Sequence, residues 1–116
     1  MAAPAISALA ALPVHEVFPG FRGQFVHTDA VTLAYWTIAA GSLLPEHSHP
    51  HEQVVNMFDG ELELTVDGVT HRLRGGDVLA IPGGARHSGR ALTEVRVLDV
   101  FAPVREDYRR FAAPPD

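Results

Sequence analysis

An all-β single domain, closed as a barrel or a two-sheet sandwich, is the fold class that this sequence predicts, with one short helical turn near its C-terminus. Three observations predict it. Turn signals recur at roughly 8–12-residue intervals between about residues 14 and 101. The segments between them are β-branched or aromatic, or alternate apolar with polar residues. No stretch in that range carries a 3.6-residue apolar period. A chain of 116 residues has room for one core only.

Taken in order, residues 1–13 form an N-terminal arm. Its small apolar stretch is short and interrupted by Pro4, and no basic residue precedes Arg22, so it lacks the pattern of a secretory leader. The chain is therefore expected in the cytoplasm. The barrel domain is expected over 14–104. Val31 to Ile38 has the composition of a strand covered on both faces. Glu61 to Val66 alternates strictly, with Leu62, Leu64 and Val66 on one face. Asp59-Gly60 and Asp67-Gly68 flank it, and each reads as a hairpin signal. Val69 to Leu73 is the return strand, Gly75-Gly76-Asp77 turns the chain into Val78 to Ile81, and Pro82-Gly83-Gly84 turns it again. Val95 to Phe101 is a long last strand. Residues 105–116 hold a helical turn over Arg105 to Phe111, ended by Pro114-Pro115.

Composition removes several function classes. Nine Arg, no Lys and 14 acidic residues give a net charge of −5. With no basic cluster, a nucleic-acid surface lacks its electrostatic term. No apolar run reaches the roughly 18–20 residues of a membrane span. The absence of Cys excludes disulfides, thiolate nucleophiles, thiolate zinc sites and iron–sulfur clusters.

What remains is histidine. In an extended chain residues i and i+2 face the same side, so His47 and His49 present two imidazoles to one point. That is a metal-gripping arrangement. His51, Glu52 and Gln53 are local candidates for a further ligand, and His87, behind the Pro-Gly-Gly turn, is the distant one. His15, His27 and His71 lie in polar contexts away from both clusters and are expected at the surface.

These residues carry a resemblance. Gly41-x5-His47-x-His49-x3-Gln53-x6-Gly60 resembles the first cupin motif, and Gly76-x5-Pro82-x-Gly84-x2-His87 the second. The 15 residues from 61 to 75 between them match the short spacing of small single-domain cupins. The resemblance implies a cupin β-barrel, or jelly roll, with one divalent transition metal inside, held by His47, His49, Gln53 and His87. Gln53 stands where the family usually has a Glu ligand, and Ala91 where it usually has Asn. Three neutral imidazoles and an amide oxygen suit Zn, Ni, Fe, Mn or Co better than Ca or Mg. Glu52 is the rival fourth ligand if a bulge after Pro50 re-aims the strand, and His51 is expected near the rim.

The last strand adds a second signal. Parity places Asp99 with Val95, Val97 and Phe101 on the inner face, where an unpaired carboxylate is costly and its pKa rises towards that of a working acid or base. The plainer alternative is a strand-end Asp that reaches solvent or pairs with an Arg. Arg105, beyond Pro103, can fold back over the barrel mouth and clamp a carboxylate, or sit solvated in the terminal turn. The outer face of the same strand is apolar at Leu98 and Val100, which calls for a cover, and a homodimer is expected to supply it.

The run Asp99-Val100-Phe101-Ala102-Pro103-Val104-Arg105-Glu106-Asp107-Tyr108 is similar to small cupins of pectin and alginate breakdown, which convert 4,5-unsaturated monouronates into linear keto sugars. D-x-F-x-x-x-R is matched position by position, so the resemblance implies a pocket lined by Asp99, Phe101 and Arg105. The expected function is metal-assisted ring opening or isomerisation of a small, carboxylate-bearing sugar. An iron-dependent dioxygenase and a non-enzymatic metal- or ligand-binding module are the alternatives.

Overall fold

A computed structural model describes residues 3–111. Ten strands follow one another: β1 (His15–Phe18), β2 (Phe21–His27), β3 (Thr32–Ile38), β4 (Leu43–His47), β5 (Glu52–Asp59), β6 (Glu61–Val66), β7 (Val69–Arg74), β8 (Val78–Ile81), β9 (His87–Ala91) and β10 (Val95–Ala102). Two short 3-10 turns, Leu9–Ala11 and Glu106–Phe111, stand outside them. The strands form two antiparallel sheets: a six-stranded one in the order β1-β2-β3-β10-β5-β8, and a four-stranded one in the order β4-β9-β6-β7. This is the expected all-β jelly roll with its C-terminal turn. Pro114-Pro115 lies outside the described residues. Among those described, no helix is long and apolar enough to cross a membrane.

Alternation builds the core. On β3, Thr32, Ala34, Trp36 and Ile38 point inward; on β10, Val95, Val97, Asp99 and Phe101 do so. They meet Leu62 and Leu64 from β6 and Leu73 from β7 across the sandwich. Trp36 sits at the centre of an aromatic cluster, with Phe18, Phe21, Phe25 and Tyr108 rings at 5.4–6.5 Å.

The outer faces differ. That of the four-stranded sheet carries cross-strand ion pairs, including Arg90–Glu63 at 3.1 Å and Arg74–Glu61 at 3.6 Å. That of the six-stranded sheet carries a row in register over five strands: Val26, Leu33, Val100, Val54 and Ala80. Gln24 lies on the same face and donates to the carbonyls of Leu9 at 2.6 Å and Leu12 at 3.2 Å, which ties down the N-terminal arm.

Two turn signals part company. Asp67-Gly68, with φ of 47° and 81°, makes the β6–β7 hairpin as expected. Asp59-Gly60 makes no hairpin: β5 and β6 belong to different sheets, and Gly60 at φ 90° is the corner between them. Only Gly fits there, because a Cβ would lie 2.1 Å from the Glu94 carbonyl oxygen, whereas one on Gly68 meets nothing within 4 Å. Gly68→Ala should therefore cost about 1 kcal/mol, the backbone term alone. Gly60→Ala should cost about 3 kcal/mol or more, because the corner must open. Thermal melts check this at roughly 4–8 °C per kcal/mol for a domain of this size; equal losses would mean that the corner is not tight.

Candidate functional site

The fold gathers the histidines at one mouth of the sandwich. His47 ends β4 and lies opposite His87, which begins β9. Gln53, near the start of β5, lies opposite Phe101, near the end of β10. His49 comes from the loop between β4 and β5, where Gly84 N–H donates to its carbonyl. The ring centroids of His47 and His87 are 4.3 Å apart, and those of His49 and His87 5.0 Å. One nitrogen from each of His47, His49 and His87 lies within 4.8 Å of the other two, the one such group among the described residues.

Hydrogen bonds dictate which nitrogen faces inward. Nδ1 of His47 is 2.9 Å from the Pro45 carbonyl, Nδ1 of His49 is 3.0 Å from that of His51, and Nδ1 of His87 is 2.9 Å from that of Ala85. A carbonyl only accepts, so each Nδ1 carries the proton and donates it, and each Nε2 keeps a bare lone pair. Burial also disfavours the imidazolium. It lowers the His49 pKa to about 4, with Arg105 and His87 adding repulsion. It lowers that of His87 too, where the Ala85 bond opposes it and His47 and Arg105 reinforce it.

The consequence is a set of buried acceptors without a donor. Nε2 of His87, only 2% exposed, has no hydrogen-bond partner. Nε2 of His49 sits 3.3 Å from Oε1 of Gln53, acceptor facing acceptor. Two lone pairs at that distance repel in a dry site unless a cation lies between them. The donor set therefore fits a borderline divalent metal. His47, His49 and His87 are the residues that can hold it, and Gln53 presents its oxygen beside them. Glu52, the sequence-level rival, is exposed and on the other face of β5, because no bulge intervenes between it and Gln53.

Beside the histidines lies Asp99, opposite Val55 and Ala34 in the sheet and 9% exposed. Burial raises its pKa to about 6, against the opposing pull of hydrogen bonds from Gln53 and Trp36 and of the Arg105 charge. Its Oδ1 has no partner, and it makes no ion pair among the described residues. Both plainer alternatives, a solvent-facing Asp and an Arg-paired one, are thus absent. Because Gln53 donates its amide N–H to Asp99, its Oε1 is left to face His49. Arg105 is buried rather than solvated. Its guanidinium lies 4.0 Å above the Tyr108 ring and 4.8 Å from that of Phe101, and it donates side-on to Asp107 through Nε at 3.0 Å and Nη2 at 2.6 Å. Gln53, Asp99 and Arg105 line an interior cavity of about 40 Å³ together with His47 and His87 and with the apolar Leu62 and Leu64.

Two histidines expected at the surface are partly covered. The His27 ring is clamped between Thr32 and the Tyr108 carbonyl, and Nε2 of His15 is buried where its ring meets Phe111 at 5.2 Å. Both are covered by the C-terminal turn, a contact that no local pattern announces. Tyr108 is the wall that the sequence reading passed over. Its only signal is its place in the Arg-Glu-Asp-Tyr run after Phe101. His51 does lie at the rim, half-buried, with its Nδ1 unpartnered.

Comparison with known proteins settles the lineage. Residues 34–101 match the cupin domain family Cupin_2. The chain belongs to the cupin family. Its fold superposes with a TM-score of 0.85 on KdgF from Halomonas sp., at 25% identity over 90% of this chain and 98% of that one. A RmlC-like cupin from Shewanella frigidimarina gives the same TM-score and identity, over 91% and 96%. Salicylate 1,2-dioxygenase from Pseudoaminobacter salicylatoxidans shares the fold at a TM-score of 0.71, with 18% identity, over 74% of this chain and 27% of that one. In sequence, Protein SchB of Streptomyces halstedii is 37% identical over 65 residues, and this cupin spans only 47% of its length.

The Asp99 site makes a stability statement whose sign is definite. The folded pKa of about 6 exceeds the ordinary carboxylate value, so the folded state holds its proton longer. Below about pH 4 both states are protonated and nothing is lost. As pH rises from about 4 to 6 stability falls, and above 6 the full cost, on the order of 3 kcal/mol, is present. In chelator-treated protein Asp99→Asn should therefore raise the melting temperature at pH 7.5 and leave it unchanged near pH 4. A destabilised mutant at pH 7.5 would mean that the carboxylate is paired after all.

Proposed function

We propose that this cupin is a metal-dependent enzyme that opens and isomerises the ring of a small anionic sugar of the 4,5-unsaturated monouronate type. The observation that carries the reading is the convergence of three imidazoles on one point beside a buried, high-pKa carboxylate and a buried guanidinium. His47, His49, Gln53 and His87 hold the metal, whose identity among Zn, Ni, Fe, Mn and Co their chemistry leaves open. When bound, the metal supplies Lewis acidity that polarises a sugar hydroxyl. Arg105 binds the carboxylate through the guanidinium edge that Asp107 leaves free. Phe101 is the apolar wall on which the sugar rests.

Asp99 moves the proton. In a 4,5-unsaturated uronate the ring oxygen belongs to both a hemiacetal and an enol ether. A proton leaves the anomeric hydroxyl, the ring C–O bond at C1 breaks to give an aldehyde and an enol, and a proton delivered to C4 turns the enol into a ketone. The step is an isomerisation with no change in oxidation state. A carboxyl with a pKa near 6 can both accept and return that proton at neutral pH. A cavity of about 40 Å³ holds only a few waters, so the sugar meets the histidines at the open mouth; this supports a monosaccharide rather than a polymer end.

The test is a screen of unsaturated monouronates with metal-loaded protein, following loss of the conjugated enol absorbance. Asp99→Asn should keep the metal and lower the rate by about 10²–10⁴-fold, more in kcat than in KM. Arg105→Ala should weaken binding of a uronate and leave the neutral sugar unaffected. Oxygen uptake by iron-loaded protein without uronate turnover would favour the dioxygenase alternative and overturn this reading.

Metal loading has its own check. His87→Ala or His49→Ala should abolish stoichiometric metal by elemental analysis, and wild-type affinity should fall as pH drops towards about 4, where His49 takes up its proton. A mutant that still binds one equivalent tightly would place the metal elsewhere.

For the assembly we propose a homodimer through the outer face of the six-stranded sheet. The in-register row Val26, Leu33, Val100, Val54 and Ala80 supports it, together with the exposed Phe58 and Val78 beside that row, on a sheet whose counterpart is laced with ion pairs. Sedimentation at micromolar concentration should give a dimer, and Val100→Glu should give a folded monomer. A wild-type monomer would refute the interface.

A further inference from the structure

Between β2, β3 and the C-terminal turn lies a hydrogen-bond chain that the proposed chemistry does not use. The Arg105 backbone N–H donates to Oγ1 of Thr32 at 2.9 Å. Oγ1 of Thr32 is 2.8 Å from Nδ1 of His27, and Nε2 of His27 is 3.2 Å from the Tyr108 carbonyl. The roles follow in one direction only. The carbonyl must receive the Nε2 proton, so Nδ1 is bare and accepts from the Thr32 hydroxyl, whose oxygen in turn accepts from Arg105. Every group in the chain is satisfied.

We propose that His27 and Thr32 are positioning residues, a clasp that holds Arg105 and Tyr108 in the geometry in which Arg105 receives a carboxylate. The clasp grips the segment at both ends. Tyr108 N–H donates to the Arg105 carbonyl at 3.0 Å, so residues 105–108 form one closed turn whose first N–H and last C=O are both held by the barrel. The side chains of those two end residues are the ones that stack at 4.0 Å. No other hydrogen bond among the described residues ties 105–111 to the barrel. The remaining attachment is ring packing, of Tyr108 against Phe25, Trp36 and Phe101 and of Phe111 against Phe25 and His15. Apolar contact keeps a segment down without fixing its rotation, whereas two directional bonds fix it. Thr32 is fully buried and the His27 ring lies parallel to Phe25 at 6.4 Å, so neither partner is free to swing. Burial, the largest effect, lowers the His27 pKa and so favours the neutral ring; the Tyr108 carbonyl opposes it, Arg109 reinforces it and Glu106 opposes it again.

The inference rests on the reading of Arg105 as the carboxylate site, and the experiment separates the two. The probes are D-glucuronate and D-glucose, titrated into zinc-loaded full-length protein, with amide hydrogen exchange at Arg105 read by NMR. His27→Leu should speed exchange of the Arg105 amide and weaken D-glucuronate binding, each about tenfold or more, as expected for one buried hydrogen bond lost. Metal content should remain that of the wild type. His27→Gln, which keeps a donor for the Tyr108 carbonyl, should recover most of both effects; a merely space-filling role would make Leu and Gln equivalent. If His27→Leu does not fold, Thr32→Val breaks the same chain with no change in side-chain shape. Wild-type exchange and wild-type D-glucuronate binding in these variants would overturn the clasp. If Arg105→Ala leaves D-glucuronate binding unchanged, it is the carboxylate site that fails, and amide exchange alone then decides the clasp.

Discussion

Each of the three inward imidazoles hands its Nδ1 proton to a backbone carbonyl two residues away, at 2.9–3.0 Å. That repeated local bond governs the rest of the site. It fixes the tautomer, so three Nε2 lone pairs converge. It lets the His49 and His87 rings be covered without charge, since their polar edge is satisfied and desolvation then favours the neutral form. Because the carbonyls belong to the same segments as the rings, the ligand set is organised by its own backbone before any ion is present.

Around that set, charge is rationed. Gln53 where cupins usually carry Glu is intelligible from its neighbour. Its amide has a donor to give Asp99 and an acceptor to turn inward, whereas a second carboxylate would face Asp99 across a dry space. The carboxylate that a Glu ligand would bring stands instead on the neighbouring strand, as Asp99, a group able to bind and release a proton. Arg105 is neutralised at its outer edge by Asp107, so that neither burial nor the histidines expel it.

Much of this was legible in the sequence, and the rest was hidden for definite reasons. β3, β6, β8 and β10 announce themselves because apolar residues dominate them or alternate regularly along them. β4, β5 and β9 do not, since His, Glu, Gln, Asn and Ser interrupt their alternation where the site is built. Asp99 stood out as a carboxylate in an apolar strand, and the two motifs located His47, His49, Gln53 and His87. Asp59-Gly60 misled, because the residues that bend a hairpin also turn a corner between sheets, and only the nearby Glu94 carbonyl separates the two uses. His27 was out of reach altogether: its partner is the carbonyl of Tyr108, 81 residues away.

The place of β10 in the sheet order has a consequence for how the chain comes to be folded. It lies between β3 and β5 and is paired along its length with both, yet among the described residues it is the last strand in sequence. Until it inserts, β1-β2-β3 and β5-β8 are separate ribbons, and β3 and β5 are open edges with apolar side chains on both faces. Closure must bring together segments about 60 residues apart in sequence, so productive folding is dominated by non-local pairing and is slow for a domain of this size. The sheet that still lacks β10 is the species most exposed to aggregation.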